Sequence, residues 1–263
     1  MKLSISPVKA LQLHAMLNNM AVLAPVITIV SAVDSLKMQG MDCCQVCLFD
    51  CWFCPSWFDE YVSGETECKH VSSKVLATIL KMVSRDQTVT LELSDDNLVI
   101  NFFGGDISCN KAFQLPLMET DYEPIDISRV MEEETTAELC MTSKKFSDLV
   151  SQFELFDEVL TFDLTESTVK MSATGEAGSM SAALDVDEGH LLEYEIVEEG
   201  NLKQSFSHRF VKSMASFSTL SGECELLFFE GRPMFMVYKM VDEGDVEKVV
   251  RAKLIVMLAP RVE

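Results

Sequence analysis

The stretch KVLATILKMVSRDQTVTLELSDDNLVINFF, residues 74–103, changes its hydrophobic period once, and that change decides the fold. Its first part sets Leu76, Ile79, Leu80 and Val83 at i, i+3, i+4 and i+7, one stripe of an α-helix. Its second part alternates through Val89, Leu91 and Leu93, breaks at Asp95-Asp96-Asn97, and alternates again through Leu98, Ile100 and Phe102. That is a β-hairpin with one apolar face. Ser72 or Ser73 supplies the helix N-cap. The unit is therefore a helix followed by an antiparallel hairpin.

The same unit recurs along the chain. Leu13, Met16, Leu17 and Met20 form one stripe, Phe146, Leu149, Val150 and Phe153 another, and Phe210, Ser213, Met214 and Phe217 a last one broken only by the serine. Caps are available at Ser6 with Pro7 in the first helical position, at Thr142 or Ser143, and at Ser205 or Ser207. Hairpins follow: Leu160, Phe162 and Leu164 with Val169 and Met171; Leu226 and Phe228 with Met234 and Met236; and a blurrier Ile27 and Ile29 with Leu36 and Met38. The stripes begin at residues 13, 76, 146 and 210, so the first and third are 133 apart and the second and fourth 134. This near-identity predicts a tandem duplication of a two-helix unit. Between the halves, residues 119–134 carry seven acids and Pro124 with no amphipathic period, and read as an exposed connector.

The 263 residues are 48% hydrophobic and carry a formal net charge of −21, which taken as a uniform field argues against contact with phosphates. The field is not uniform. The four helical windows (8–20, 73–85, 143–153 and 206–218) hold eight of the 21 basic residues and one of the 42 acidic ones. The cations are Lys9, Lys74, Lys81, Arg85, Lys144, Lys145, Arg209 and Lys212, and the acid is Asp148. One basic helix face is ordinarily just solvated; four together predict a cationic surface that holds phosphates without reading bases.

Other classes find little support. Nine cysteines without a signal-like start predict free thiols in a reducing compartment, and the apolar stretch 20–33 is too short to span a bilayer. Cys43, Cys44, Cys47, Cys51 and Cys54 imitate zinc-ligand pairs, but on a strand neighbouring side chains alternate faces, so small apolar filler is expected and no metal site. His14, His70, His190 and His208 show no ligand spacing, and there is no phosphate-binding glycine loop or nucleophile elbow. Neither an enzyme nor a cofactor is expected.

Four segments in order resemble the sliding clamps of eukaryotes, archaea and large DNA viruses, the proliferating cell nuclear antigen family. They are LKMQGMDCCQVCLF (36–49), TILKMVSRDQTVTL (78–91), KMSATGEAGSMSAAL (170–184) and MLAPRVE (257–263). The resemblance implies an α+β DNA-clamp fold of two similar domains, each with two helices packed on antiparallel sheets, assembling head to tail into a closed homotrimeric ring. It divides the chain into an N-terminal clamp domain (1–117), an interdomain connector (118–134) and a C-terminal clamp domain (135–263).

The resemblance implies helices that line the pore, so the basic residues named above, except Lys74, are expected to face duplex DNA together with His14. It implies that the strand 108–117, with Phe113 and Leu115, pairs with the strand 179–186 of the next subunit, with Ser179, Ser181 and Ala183. It also implies a pocket for a short partner motif at Met41, Gln45 and Val46, at Ile127, Val130 and Met131 on the connector, and at Pro233, Leu258, Ala259 and Pro260. Three departures stand out: His14, Ala15, Ala21, Asp148 and Ser151 sit where the family commonly has pore-facing cations, Gln45 replaces a histidine, and residues 129–131 replace a Gly-Ile-Pro stretch.

The implied function is a sliding clamp, a polymerase processivity factor and docking platform for replication and repair proteins, with a clamp loader as a further partner and no membrane. The implied location is the nucleus, or cytoplasmic replication sites for a viral clamp. Two alternatives stay open: a monomeric or dimeric herpes-type processivity factor, and one subunit of a checkpoint-type heterotrimeric clamp.

Overall fold

The computed structural model describes residues 1–105, 109–186, 189–198, 200–241, 245 and 247–261. The chain forms two units: residues 1–124 with 240–254, and residues 125–239 with 255–263. This differs from the division at 117 and 134 expected along the chain. The connector is split, and 240–254 joins the first unit, where the Cys54 amide donates to the Arg251 carbonyl at 2.8 Å.

In the first unit, helices α1 (Pro7–Met20) and α2 (Ser73–Leu80) pack on each other. One sheet runs in the order β5 (Glu60–Val62), β1 (Lys2–Ile5), β7 (Thr88–Leu93), β8 (Asn97–Phe103), β9 (Lys111–Pro116). The other contains β4 (Cys47–Phe53), β3 (Leu36–Met41), β2 (Val26–Ser31) and β6 (Glu67–Ser72) in that order. Neighbours in both runs are antiparallel, and the hairpins read from the sequence have their expected faces: Leu91 lies opposite Ile100, and Ile29 opposite Met38. The stripe residues Leu13, Met16, Leu17, Met20, Leu76, Ile79 and Leu80 are buried. Helix α2 stops at Leu80, so Val83 is only half-buried and Arg85 lies past the helix.

The second unit repeats this plan with α4 (Ser143–Gln152) against α5 (His208–Ala215). One sheet runs β13 (Gly178–Asp185), β12 (Thr168–Gly175), β11 (Val159–Thr165), β15 (Asn201–Ser207). The other contains β14 (Glu193–Ile196), β10 (Ala137–Thr142), β16 (Glu223–Phe228) and β17 (Met234–Val241). Phe162 faces Met171 and Leu226 faces Met236, as the alternation requires. The final strand β18 (Val250–Leu258) divides between the units after Leu254. Within the connector, one helical turn, α3 (Ser128–Met131), follows the buried Ile127.

Ser207, not Ser205, precedes α5, and Ser72 caps α2 by accepting from the Val75 amide at 3.5 Å. Among the described residues no helix is long and apolar enough to cross a membrane.

Candidate nucleic-acid interface and docking surfaces

Most of the apolar stripes are buried, with Leu149 and Phe210 only half-buried, and the helical cations lie off them, but these cations are not equivalent. Lys81 and Arg85, with Lys74, are exposed and form no ion pair among the described residues. Lys111 on β9, which lies outside the helical windows, reaches the same end of α2 and donates to the Met82 carbonyl at 2.8 Å. Lys9 turns inward, its ammonium donating to the Trp57 carbonyl at 2.6 Å and standing 5.6 Å from that indole. His14 contributes little charge: burial first, then the neighbouring Lys81 ammonium, lowers its pKa, against a hydrogen bond to the Ala77 backbone.

In the second unit the helical cations are largely engaged. Lys144 lies 3.4 Å from Asp148, and Lys212 lies 2.6 Å from Glu154, whose pKa it lowers by that hydrogen bond. Lys145 meets the His190 ring nitrogen at 2.9 Å and its carbonyl at 3.1 Å. Arg209 is exposed, over the Phe210 ring at 5.8 Å. Of the eight residues expected to face DNA, Lys81, Arg85 and Arg209 have no carboxylate or carbonyl partner for their cationic heads among the described residues. Glu154 was out of reach of sequence reasoning, because it stands 58 residues from Lys212.

The two strands expected at subunit junctions, β9 and β13, each end a sheet and, among the described residues, pair on one side only, with β8 and β12 respectively. Residue 108, the expected start of the first of these, lies outside the described residues. Ser179, Ser181 and Ala183 are exposed, Phe113 is half-buried against Phe102 at 5.2 Å, and Leu115 belongs to the core of its own unit. From Gly178 to Leu184 β13 carries no charge. The other terminal strands are charged, as with Glu60 on β5, Glu67 and Lys69 on β6, Glu193 and Glu195 on β14, and Lys203 on β15. Charge is a common guard on a free edge, and β13 lacks it.

The residues expected to form the partner-motif pocket fall in both units. In the first, Met41, Gln45 and Val46 flank a loop organised by Asp42. This buried carboxylate accepts from the amides of Cys44 at 2.8 Å, Val46 at 2.8 Å and Cys47 at 2.7 Å. Gln45 is exposed with φ 58, the left-handed turn that lets the loop close over Asp42. Cys43 and Cys44 are exposed, while Cys47 and Cys51 are buried with their thiol pKa values raised mainly by that burial.

In the second unit a chain of polar contacts ties the expected segments together. Glu133 pairs with Arg232, beside Pro233; the Arg232 carbonyl accepts from Gln204 at 3.3 Å; and the amide of Arg261, beside Pro260, donates to the carbonyl of Ser205 at 2.8 Å. Val130, Met131, Pro233, Ala259 and Pro260 are half-exposed, whereas Ile127 and Leu258 are buried.

Comparison with known proteins agrees with this architecture. The chain is 27% identical to a DNA polymerase sliding clamp of Thermococcus onnurineus over 230 residues, 88% of this chain and 86% of that one. It is 21% identical to proliferating cell nuclear antigen 2 of Drosophila melanogaster over 84% of this chain and 86% of that one. Its fold matches a chain of the PCNA2-PCNA3 complex of Sulfolobus tokodaii with a TM-score of 0.82 at 20% identity, covering 100% of both. The resemblance to the sliding clamps thus extends over most of the sequence and the whole fold, and with the Rad9 family model matching residues 14–257, the chain belongs to the Rad9 family.

Proposed function

We propose that this chain is a sliding clamp: copies join head to tail through β9 and β13, close around duplex DNA, and hold a polymerase and other replication and repair proteins to it. The observation that carries this reading is the pair of one-sided terminal strands, one in each unit of a duplicated fold, with β13 uncharged over seven residues. Each edge offers unpaired backbone groups to the other, and a heterologous contact of that kind closes when its rotation closes. The scarcity of unengaged cations on the helices fits a device that retains DNA by closure, keeping its partners at high local concentration without tight binding. Its role is that of a scaffold without chemistry of its own, served by a clamp loader, in the nucleus or at viral replication sites. Native mass spectrometry of the purified chain at micromolar concentration tests the assembly: trimers are expected, and monomers alone would overturn the homotrimer.

A second reading is favoured by one observation. A solved structure that matches this fold is a complex of two differently numbered clamp chains, so a mixed ring is a natural use of the same edges. Under that reading the purified chain stays monomeric until a second clamp chain is added.

A further inference from the structure

The second unit contains a cavity of about 510 Å³ that the clamp reading does not use. It lies on the face of the β14-β10-β16-β17 sheet turned away from the helices. Tyr238 on β17 sends its hydroxyl to the Met214 carbonyl of α5, so the next residue, Lys239, points to the opposite face and into the cavity. Four carboxylates line it, Glu138, Glu193, Glu195 and Glu225, against the single ammonium of Lys239, which is already 2.6 Å from Glu225.

The strand register makes this acidity costly. Glu138 stands directly opposite Glu195, a like-charge pair that opposes strand pairing, with no ion pair to either among the described residues. A second feature lies in the lining. Cys140, only 7% exposed and with no hydrogen bond to its thiol among the described residues, sits between the register positions of Glu193 on one side and Glu225 on the other. Burial, then Glu223, Glu225 and Glu193, raises its thiol to about 11, so it stays protonated and is a poor metal ligand. Among the described residues no group of three His, Cys, Asp or Glu side chains is placed to hold a metal ion. Duplex DNA would be repelled. What remains complementary is a long cationic side chain, whose methylenes lie on the thiol and Leu227 while its head meets the carboxylates.

We propose that this cavity is a docking site for an arginine- or lysine-bearing segment of a partner protein, with the cationic head held between Glu138 and Glu195 and the stem over Cys140 and Leu227. The site is independent of ring closure and separate from the motif pocket.

The test is fluorescence anisotropy of a labelled peptide of alternating arginine and glycine, titrated with the full chain. Saturable binding is expected, weakened about tenfold or more by the isosteric pair Glu138→Gln and Glu195→Gln. The pair Asp95→Asn and Asp96→Asn, which removes the same charge from the first unit, should leave it unchanged. Equal weakening by both pairs would mean a general attraction to an acidic surface and would overturn the proposal. So would spermine that matches the peptide at equal charge concentration with the same dependence on Glu138 and Glu195. Oligomeric state measured on the same variants separates failure of this site from failure of the clamp reading.

Discussion

The His208 ring nitrogen Nε2 lies 2.8 Å from the carbonyl oxygen of Val150, so the first residue of α5 is fastened to the body of α4 inside the second unit. Because His208 is buried, His208→Ala leaves the Val150 carbonyl with one partner fewer and a void, and should cost about 2 kcal/mol in urea denaturation. A change within about 0.5 kcal/mol, the usual range for an inert surface site, would show that the contact is idle.

His14 makes stability depend on pH in a definite sense. Its folded pKa is depressed, so the neutral ring favours folding, and this contribution is lost as pH falls from the unfolded value of about 6.5 toward the lower folded one. His70, lowered by burial, acts in the same direction. The informative quantity is thus the difference between wild type and His14→Gln in urea midpoint between about pH 7.5 and about pH 5.5. The wild type should lose more stability than the variant.

Phosphate binding should be concentrated in a few residues. Lys81→Glu with Arg209→Glu should weaken stimulation of a polymerase on circular DNA and flatten the salt dependence of DNA association by about 0.9 in log–log slope for each phosphate left unneutralised. Lys144→Glu with Lys212→Glu should do less, since those ammonium groups already lie against Asp148 and Glu154. Equal effects of the two pairs would show that the internal ion pairs open on DNA.

Charge placed on the free edge should prevent assembly without unfolding the chain. Ser181 and Ala183 are exposed on β13, so Ser181→Lys with Ala183→Lys should leave circular dichroism and melting unchanged while native mass spectrometry loses the assembly. An intact assembly would exclude β13 from the junction.

Asp42 holds three backbone amides of the loop that carries Gln45 and Val46. Asp42→Ala strands these donors and should cost about 2–3 kcal/mol. It should also weaken binding of a short clamp-binding peptide, measured by calorimetry on protein still folded at the working temperature.

The apolar stripes and alternating hairpins were legible because 3.6- and 2-residue periods are local and each leaves one face in the core. The alternation alone put Ile29 and Met38, and Phe162 and Met171, on the apolar faces of their hairpins, and the structure sets each pair directly opposite. The strands β1, β6, β10 and β15, each running directly into a long helix, were not legible, since their short alternations merge with the capping residues. The charge count misled in a similar way: Lys9, Lys145 and Lys212 look alike as helical cations until folding brings Trp57, His190 and Glu154 to them across tens of residues. Asp42 resembled any loop acid, because its three amide partners exist only once the turn at Gln45 has formed.

Closure around DNA is tested most directly by threading. Protein is incubated with a linear duplex biotinylated at both ends, the ends are capped with streptavidin, and the complex is washed in high salt before a restriction enzyme cuts the DNA between the caps. A closed ring predicts retention only while both ends are capped and release on cutting; retention on uncapped or cut DNA, or no retention on capped DNA, would contradict it.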